Sequence, residues 1–184
     1  MSKVYLLRTD KESLDLKEDV RKLSEIFSGN LPDGERVAIK IHFGERQSDT
    51  HLDPRFVESI YKEIERKCPE TVMMDRNVLY NSDRALGPTH REVAKDNGFD
   101  FAPIVIGDGE KGKDEMNVPI GLNHFKEAKL GRALSDYGFI FTLTHFTGHN
   151  PAGFGGCLKN LGMGLGAKAG KLEMHSAFNL EINS

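Results

Sequence analysis

Between Leu143 and Lys171 the chain reads LTHFTGHNPAGFGGCLKNLGMGLGAKAGK, a stretch that holds eight of its 19 glycines, two histidines and three lysines. Glycine loses more backbone entropy on ordering than any other residue, so clustering it is costly unless the backbone must turn sharply or approach something closely. The stretch therefore predicts a binding loop. His145 and His149 are its metal candidates, because imidazole suits divalent transition metals such as Zn, Ni, Fe or Cu, and His42 or Asp75 can complete a set. Thr147-Gly148 and Asn150-Pro151 make this segment a loop rather than a helix. Metal ligation, contact with an anion or substrate, and a structural capping role are all open to the two rings. Gly153, Gly155 and Gly156 precede a predicted helix from Cys157 to Leu161, whose first amides suit a carboxylate or phosphate, with Lys159, Lys168 and Lys171 adding charge. A P-loop is ruled out, since it needs glycine at 165 and Ser or Thr at 172, and both positions are leucine. Gly164, Gly166 and Ala169 meet a relaxed dinucleotide fingerprint but follow a helix rather than a strand. No serine sits in a nucleophile elbow and no paired carboxylates stand out, so a Ser/His/Asp hydrolase is disfavoured.

The elements that must position these residues alternate. Lys3 to Thr9 reads as a strand, and Leu16, Val20, Leu23 and Phe27 repeat as one face of a helix ended by Gly29. Arg36 to Gly44 is a second strand. Asp53 caps a helix with Pro54 at its first position. Thr71 to Asn77 is a third strand, Thr89 to Glu92 has capping-box spacing, and Asn97-Gly98 closes that helix. Phe101 to Ile106 is a fourth strand. Two short runs around Gly121-Leu122-Asn123 form a β-hairpin, Arg132 to Tyr137 is a helical turn, and Phe139 to Thr144 is the most apolar strand. This order predicts a single α/β domain over 1–184, three-layered, with a mainly parallel sheet, helices on both faces and an added β-hairpin. The tail LEMHSAFNLEINS shows no caps and no period, and the domain reads as the N-terminal part of a longer architecture.

In open α/β sheets ligands bind beyond the carboxyl ends of the strands. Here the second strand delivers Lys40, His42 and Glu45, the third delivers Asp75, Asn77 and, soon after, Tyr80 and Arg84, and the most apolar one delivers His145 and His149. Polar residues also end strands for ordinary solvation. His51, His90 and His124 read as surface or capping histidines, and Cys157 as a small buried hydrophobe.

Composition narrows the function classes. With 25 Lys and Arg against 28 Asp and Glu, the net charge is -3, so nothing global draws the chain to nucleic acid or an anionic membrane. Neither a signal-peptide core nor a run of membrane-spanning length is visible, which places the protein in the cytoplasm. Two cysteines without a CxxC make a disulfide scaffold improbable and leave too few thiolates for a 4Fe-4S cluster within this chain.

Three blocks, AIKIHFGE from Ala38, DRNVLYNSDRALGPTHREVAKDNGF from Asp75 and THFTGHNPAGFGGCLKNLGMGLGAKAGKLEMH from Thr144, occur in order along nearly the whole chain. Together they resemble the domain of unknown function 362 family, often labelled uncharacterised iron-sulfur centre proteins. The family-like positions are Lys40, His42, Asp75, Asn77, His145, His149, Lys159 and Asn160. Longer members of that family continue after a segment like KLEMHS into a ferredoxin-like insert with cluster cysteines, which this chain lacks. The resemblance thus implies a ligand- or metal-binding module that acts in redox chemistry with a cluster-bearing, ferredoxin-like partner or a missing C-terminal half. The residues themselves also fit a free-standing enzyme with an anionic substrate or cofactor at the glycine-rich stretch, or an interaction domain.

Overall fold

Strand formation starts from short apolar runs flanked by turns, and the computed structural model shows where they meet. It describes residues 3–5, 16–29, 31, 33–46, 48–150 and 152–176. Residues 3–5 are not in a strand, and the remainder of the strand predicted at 3–9 lies outside the described residues. Helix α1 (Leu16–Ser28) forms where the Leu16, Val20, Leu23 and Phe27 period predicts a helix. β1 (Val37–Lys40) is buried throughout, as a run covered on both faces must be. α2 (Pro54–Lys67) begins where expected: the Asp53 carboxylate accepts from the Arg55 amide, and Pro54 occupies a position whose N–H would go unused. β2 (Thr71–Asp75), a 3₁₀ turn (Asp83–Ala85), α3 (Gly87–Asp96) and β3 (Ile104–Ile106) follow. The capping box does not form. α3 starts at Gly87, and the Thr89 hydroxyl donates to the Leu86 carbonyl instead.

β4 (Glu115–Pro119) and β5 (Glu127–Gly131) make the expected antiparallel hairpin. A second 3₁₀ turn (Arg132–Asp136) leads into β6 (Phe139–Thr142), then the small hairpin β7 (Thr147–His149) and β8 (Gly153–Gly155), α4 (Cys157–Gly162) and α5 (Lys168–Ser176). The main sheet has the order β3-β2-β1-β6, and every pair in it is parallel. The α/β architecture read from the sequence is therefore the observed one.

Register fixes the faces. Val37 lies opposite Thr71 and Ile39 opposite Met73. Their shared face packs with Val57, Ile60, Tyr61 and Ile64 of α2 into the main core. Lys40, of opposite pleat parity, meets Asn160 of α4 on the other side.

The tail prediction needs correction. Residues from Leu172 to Ser176 belong to α5, while 177–184 lie outside the described residues. Tertiary contact makes this helix. The Ala167 amide donates to the Lys129 carbonyl, and Gly170 is so close to that same carbonyl that a Cβ would collide with it. Among the described residues no helix is long and apolar enough to cross a membrane.

Candidate functional site

β1 is joined through α2 to β2, whereas β6 returns on the opposite side of β1, so the topological switch lies between β1 and β6. Asn160 occupies it. Its Nδ2 donates to the Leu143 carbonyl at 3.1 Å and to Thr144 Oγ1 at 2.9 Å, while its Oδ1 accepts from Lys40 Nζ at 2.6 Å. The other two donors of Lys40 go to the Ile41 carbonyl at 3.1 Å and to Asp75 Oδ1 at 3.0 Å. The ammonium is saturated.

Asp75 is the hub. Besides Lys40 it accepts from the Arg76 amide at 2.9 Å and from Arg84 Nη2 at 2.9 Å. Burial alone would raise its pKa, but Lys40 and Arg84 hold the carboxyl well below the usual range. Arg84, only 2% exposed, also meets His90 Nε2 at 3.1 Å, Glu45 Oε1 at 2.7 Å and His42 Nε2 at 2.8 Å. Tyr80 donates its hydroxyl to Glu45 Oε1 at 2.5 Å, and beside this rim lies a depression of about 420 Å³ lined by Glu45, Arg46, Asn81, Ser82 and Asp83.

Guanidinium groups only donate, which fixes the His90 imidazole. His90 Nε2 must be the bare nitrogen. Its approach to Asp75 Oδ2 at 3.5 Å is then a contact rather than a hydrogen bond. His42 faces donors on both nitrogens, the Gly44 amide at Nδ1 and Arg84 at Nε2; a neutral ring accepts from one of them and an imidazolium from neither, so the neutral ring is favoured. Desolvation and then Arg84 push His42 down to about 4. Because the residue is exposed, the Arg84 contact is the more secure of the two causes. His90 is lowered as well, chiefly by burial.

A pH dependence follows. Unfolded histidines titrate near about 6.5, so between about 4 and 6.5 the unfolded chain binds more protons than the folded one, and stability rises with pH across that window. Acidification should therefore lower the denaturant midpoint before the carboxylates titrate. Asp75, with its depressed pKa, adds the same sign below the unfolded carboxylate value, whereas Asp108, raised by burial, acts with the opposite sign just above it. A His42→Gln/His90→Gln double variant should flatten the slope between about pH 6.5 and 5. An unchanged slope would mean that neither ring is neutral in the fold.

The second half of the cluster is differently satisfied. Asp108, in the loop after β3, accepts through Oδ1 from the Asn77 amide at 3.0 Å and from Asn77 Nδ2 at 2.9 Å. Lys171 reaches across from α5 to the Asn77 carbonyl at 2.7 Å, and burial pushes its pKa down to about 8. Arg76 is fully buried between two glycines. A Cβ on Gly107 would sit 3.0 Å from its Cζ, and one on Gly131 would sit 2.7 Å from its Nε. None of its three side-chain nitrogens has a hydrogen-bond partner among the described residues, and the same is true of Asn77 Oδ1 and Asp108 Oδ2.

Residues 37–182 match the model of a family described as a domain of unknown function, DUF362. The chain belongs to this family. Among curated proteins and solved structures none matches it. The DUF362 match runs from β1 to beyond α5 and so contains the whole polar cluster.

Within the DUF362 domain Lys40, His42, Asp75, Asn77 and Asn160 come together, joined by Glu45, Tyr80 and Arg84. The glycine-rich stretch contributes less directly. Gly153 turns the β7–β8 hairpin at φ 76°, Gly155 lies in β8, and Gly156 precedes α4. Gly164 admits Lys40, since a Cβ there would stand 2.7 Å from the lysine Cε. Lys159 has no side-chain hydrogen bond or ion pair among the described residues. His145 is exposed and His149 Nδ1 accepts from the Ala152 amide at 3.2 Å, which leaves Nε2 as that ring's open nitrogen. Among the described residues no three His, Cys, Asp or Glu side chains converge as a metal group.

Three readings are corrected. His90 is fully buried, and its signal was the His90, Val93, Ala94 spacing that marks the inner face of α3. Cys157 is exposed. Lys171 serves the Asn77 carbonyl rather than the glycine loop. Asp108 carried no sequence signal at all, since it lies in a turn-rich run of ordinary polarity.

Proposed function

We propose that this DUF362 chain is a ligand-binding module that takes a small anion at the carboxyl ends of its parallel strands. It works in redox chemistry with a cluster-bearing, ferredoxin-like partner or C-terminal continuation. The observation that carries the anion reading is an imbalance among the described residues: Lys40, Arg76, Arg84 and Lys171 are buried against two buried carboxylates, Asp75 and Asp108. Uncompensated buried charge costs several kcal/mol, and an anion relieves that cost. Melting temperature measured with phosphate or carboxylate salts against chloride at equal ionic strength should rise with the bound anion and saturate. A shift that only tracks ionic strength would overturn the reading.

The partner rests on a surface. Phe146 is 71% exposed and stacks on Phe154 with ring centroids 5.5 Å apart, and nearby Leu158 is 84% exposed. Between Asp136 and Glu173 the chain has no acidic residue, so this apolar face with Lys159 suits an acidic partner surface. A second reading, an enzyme with His145 and His149 as metal ligands or acid and base, is favoured by the uncommitted His145 ring and His149 Nε2. Elemental analysis and an absorption spectrum of untagged protein, purified with whatever it retains, separate the two. Brown iron-sulfur absorbance lost on Phe154→Asp supports the partner. About one equivalent of Zn, Ni or Fe lost in His145→Ala/His149→Ala supports the metal site. Colourless, metal-free protein under conditions that keep complexes intact would count against both.

A further inference from the structure

We propose that Arg76, Lys171, Asn77 and Asp108 form the seat of a buried oxyanion that carries one O–H group, of the hydrogen phosphate or bicarbonate type. The inference rests on the anion-binding reading and gives it a place and a ligand chemistry. Its ground is the difference between the two halves of the cluster. Around Asp75 every side-chain nitrogen of Lys40 and Arg84 already bonds a protein acceptor, and the one buried nitrogen left unmet there among the described residues is His90 Nδ1, a single neutral donor. Around Asp108 the hydrogen-bond capacity is unmet. Arg76 offers Nε, Nη1 and Nη2 with no partner among the described residues, at 0% exposure. Lys171, 8% exposed, has its ammonium bonded to the Asn77 carbonyl, with donors to spare.

Buried polar groups in folded proteins are almost always paired, and a buried guanidinium left unpaired is among the costliest exceptions. None of the described residues meets it. Arg76 and Lys171 face Asp108 and share the charge of Asp75 with Lys40 and Arg84, four cations against two carboxylates among the described residues, so charge as well as hydrogen bonding calls for an anion, and the planar guanidinium fork matches two oxygens of one oxyanion. Two further atoms sharpen the choice. Asp108 Oδ2 and Asn77 Oδ1 are also buried and unpartnered, and both are acceptors. An oxyanion without a proton would confront them with its own lone pairs. One with a single O–H gives its acceptor oxygens to Arg76 and Lys171 and its donor to Asp108 or Asn77. A site whose buried polar groups match a ligand hydroxyl rejects the analogue that lacks it, because the mismatch leaves groups unpaired. The Gly107 and Gly131 backbones hold the guanidinium in place, and α5 closes the seat by delivering Lys171.

The experiment is calorimetric titration of the full chain with inorganic phosphate and with sulfate, near neutral pH and at matched ionic strength. Sulfate has the same shape but no proton to donate. Phosphate should bind at least about tenfold more tightly than sulfate. Lys171→Met, which keeps the length of the side chain, should weaken phosphate by about tenfold or more, and Asp108→Asn, which turns an acceptor into a potential donor, should narrow or reverse the preference. Arg76→Met is secondary, since it can disturb folding; the other two variants are judged by circular dichroism before titration. Saturable phosphate binding unaffected by Lys171→Met and Asp108→Asn would overturn this seat while leaving the anion reading intact. Equal binding of sulfate and phosphate would overturn the O–H requirement, and no saturable binding of either, leaving water to fill the site, would overturn both proposals.

Discussion

Asp75→Ala is expected to destabilise the domain by about 3–5 kcal/mol, the range seen when one partner of a buried ion pair is removed and the other is left behind. Asp75 is the common acceptor of Lys40 at 3.0 Å and Arg84 at 2.9 Å, and the three side chains are 4%, 1% and 2% exposed. Without the carboxylate, two cations stay buried near each other. Glu45, which also accepts from Arg84, sits at the rim and is too exposed to take over the role. Urea denaturation checks this through the midpoint, with the slope reporting whether the folded state keeps its compactness. Lys40→Met in the Asp75→Ala background should recover part of the loss, because it removes one stranded charge and replaces it with a side chain of similar volume. That non-additivity separates electrostatic stranding from a simple cavity. A single-variant cost below about 1 kcal/mol would show that water reaches this cluster and that it is not a dry network.

Gly131→Ala should cost about 1–3 kcal/mol or more, the penalty for forcing atoms into a filled interior. The added Cβ would come within 2.6 Å of the Gly107 carbonyl oxygen, 2.8 Å of its carbonyl carbon and 2.7 Å of Arg76 Nε. Two of those neighbours are backbone, and the third belongs to a fully buried side chain, so none can swing aside into solvent. The strain would reach Arg76 directly, and any ligand affinity that depends on its orientation should fall with stability. Gly148→Ala is the matched control. A Cβ there meets nothing within 4 Å and needs no left-handed backbone, so its melting temperature should stay near wild type. Equal effects of the two substitutions would mean that the loss comes from glycine chemistry in general and not from the slot that holds Arg76.

Two glycines of the glycine-rich stretch lie hard against other parts of the chain. Clustered glycines signalled close approach, and close approach is what Gly164 and Gly170 provide, but to Lys40 and to the β5 backbone. The turn at Gly153 faces solvent beside Phe154. Composition alone cannot tell a ligand from another part of the same chain as the thing approached, because both impose the same demand on the backbone.

Local periodicity was enough to establish the βαβ order, the Asp53-Pro54 start of α2, the hairpin around Gly121, and the delivery of Lys40 and Asp75 to strand ends, since each depends on residues a few positions apart. Burial of His90 was legible in principle from its spacing to Val93 and Ala94. What only the tertiary structure decided was which charge meets which. Lys171 reaches the Asn77 carbonyl across 94 positions, and Lys40 reaches Asn160 across 120. α5 owes its place to the hairpin backbone beneath Gly170. The physical reason is one of range: side-chain period is set by neighbours on the same element, whereas pairing of buried charges is set by how separate elements dock, and no local pattern carries that information.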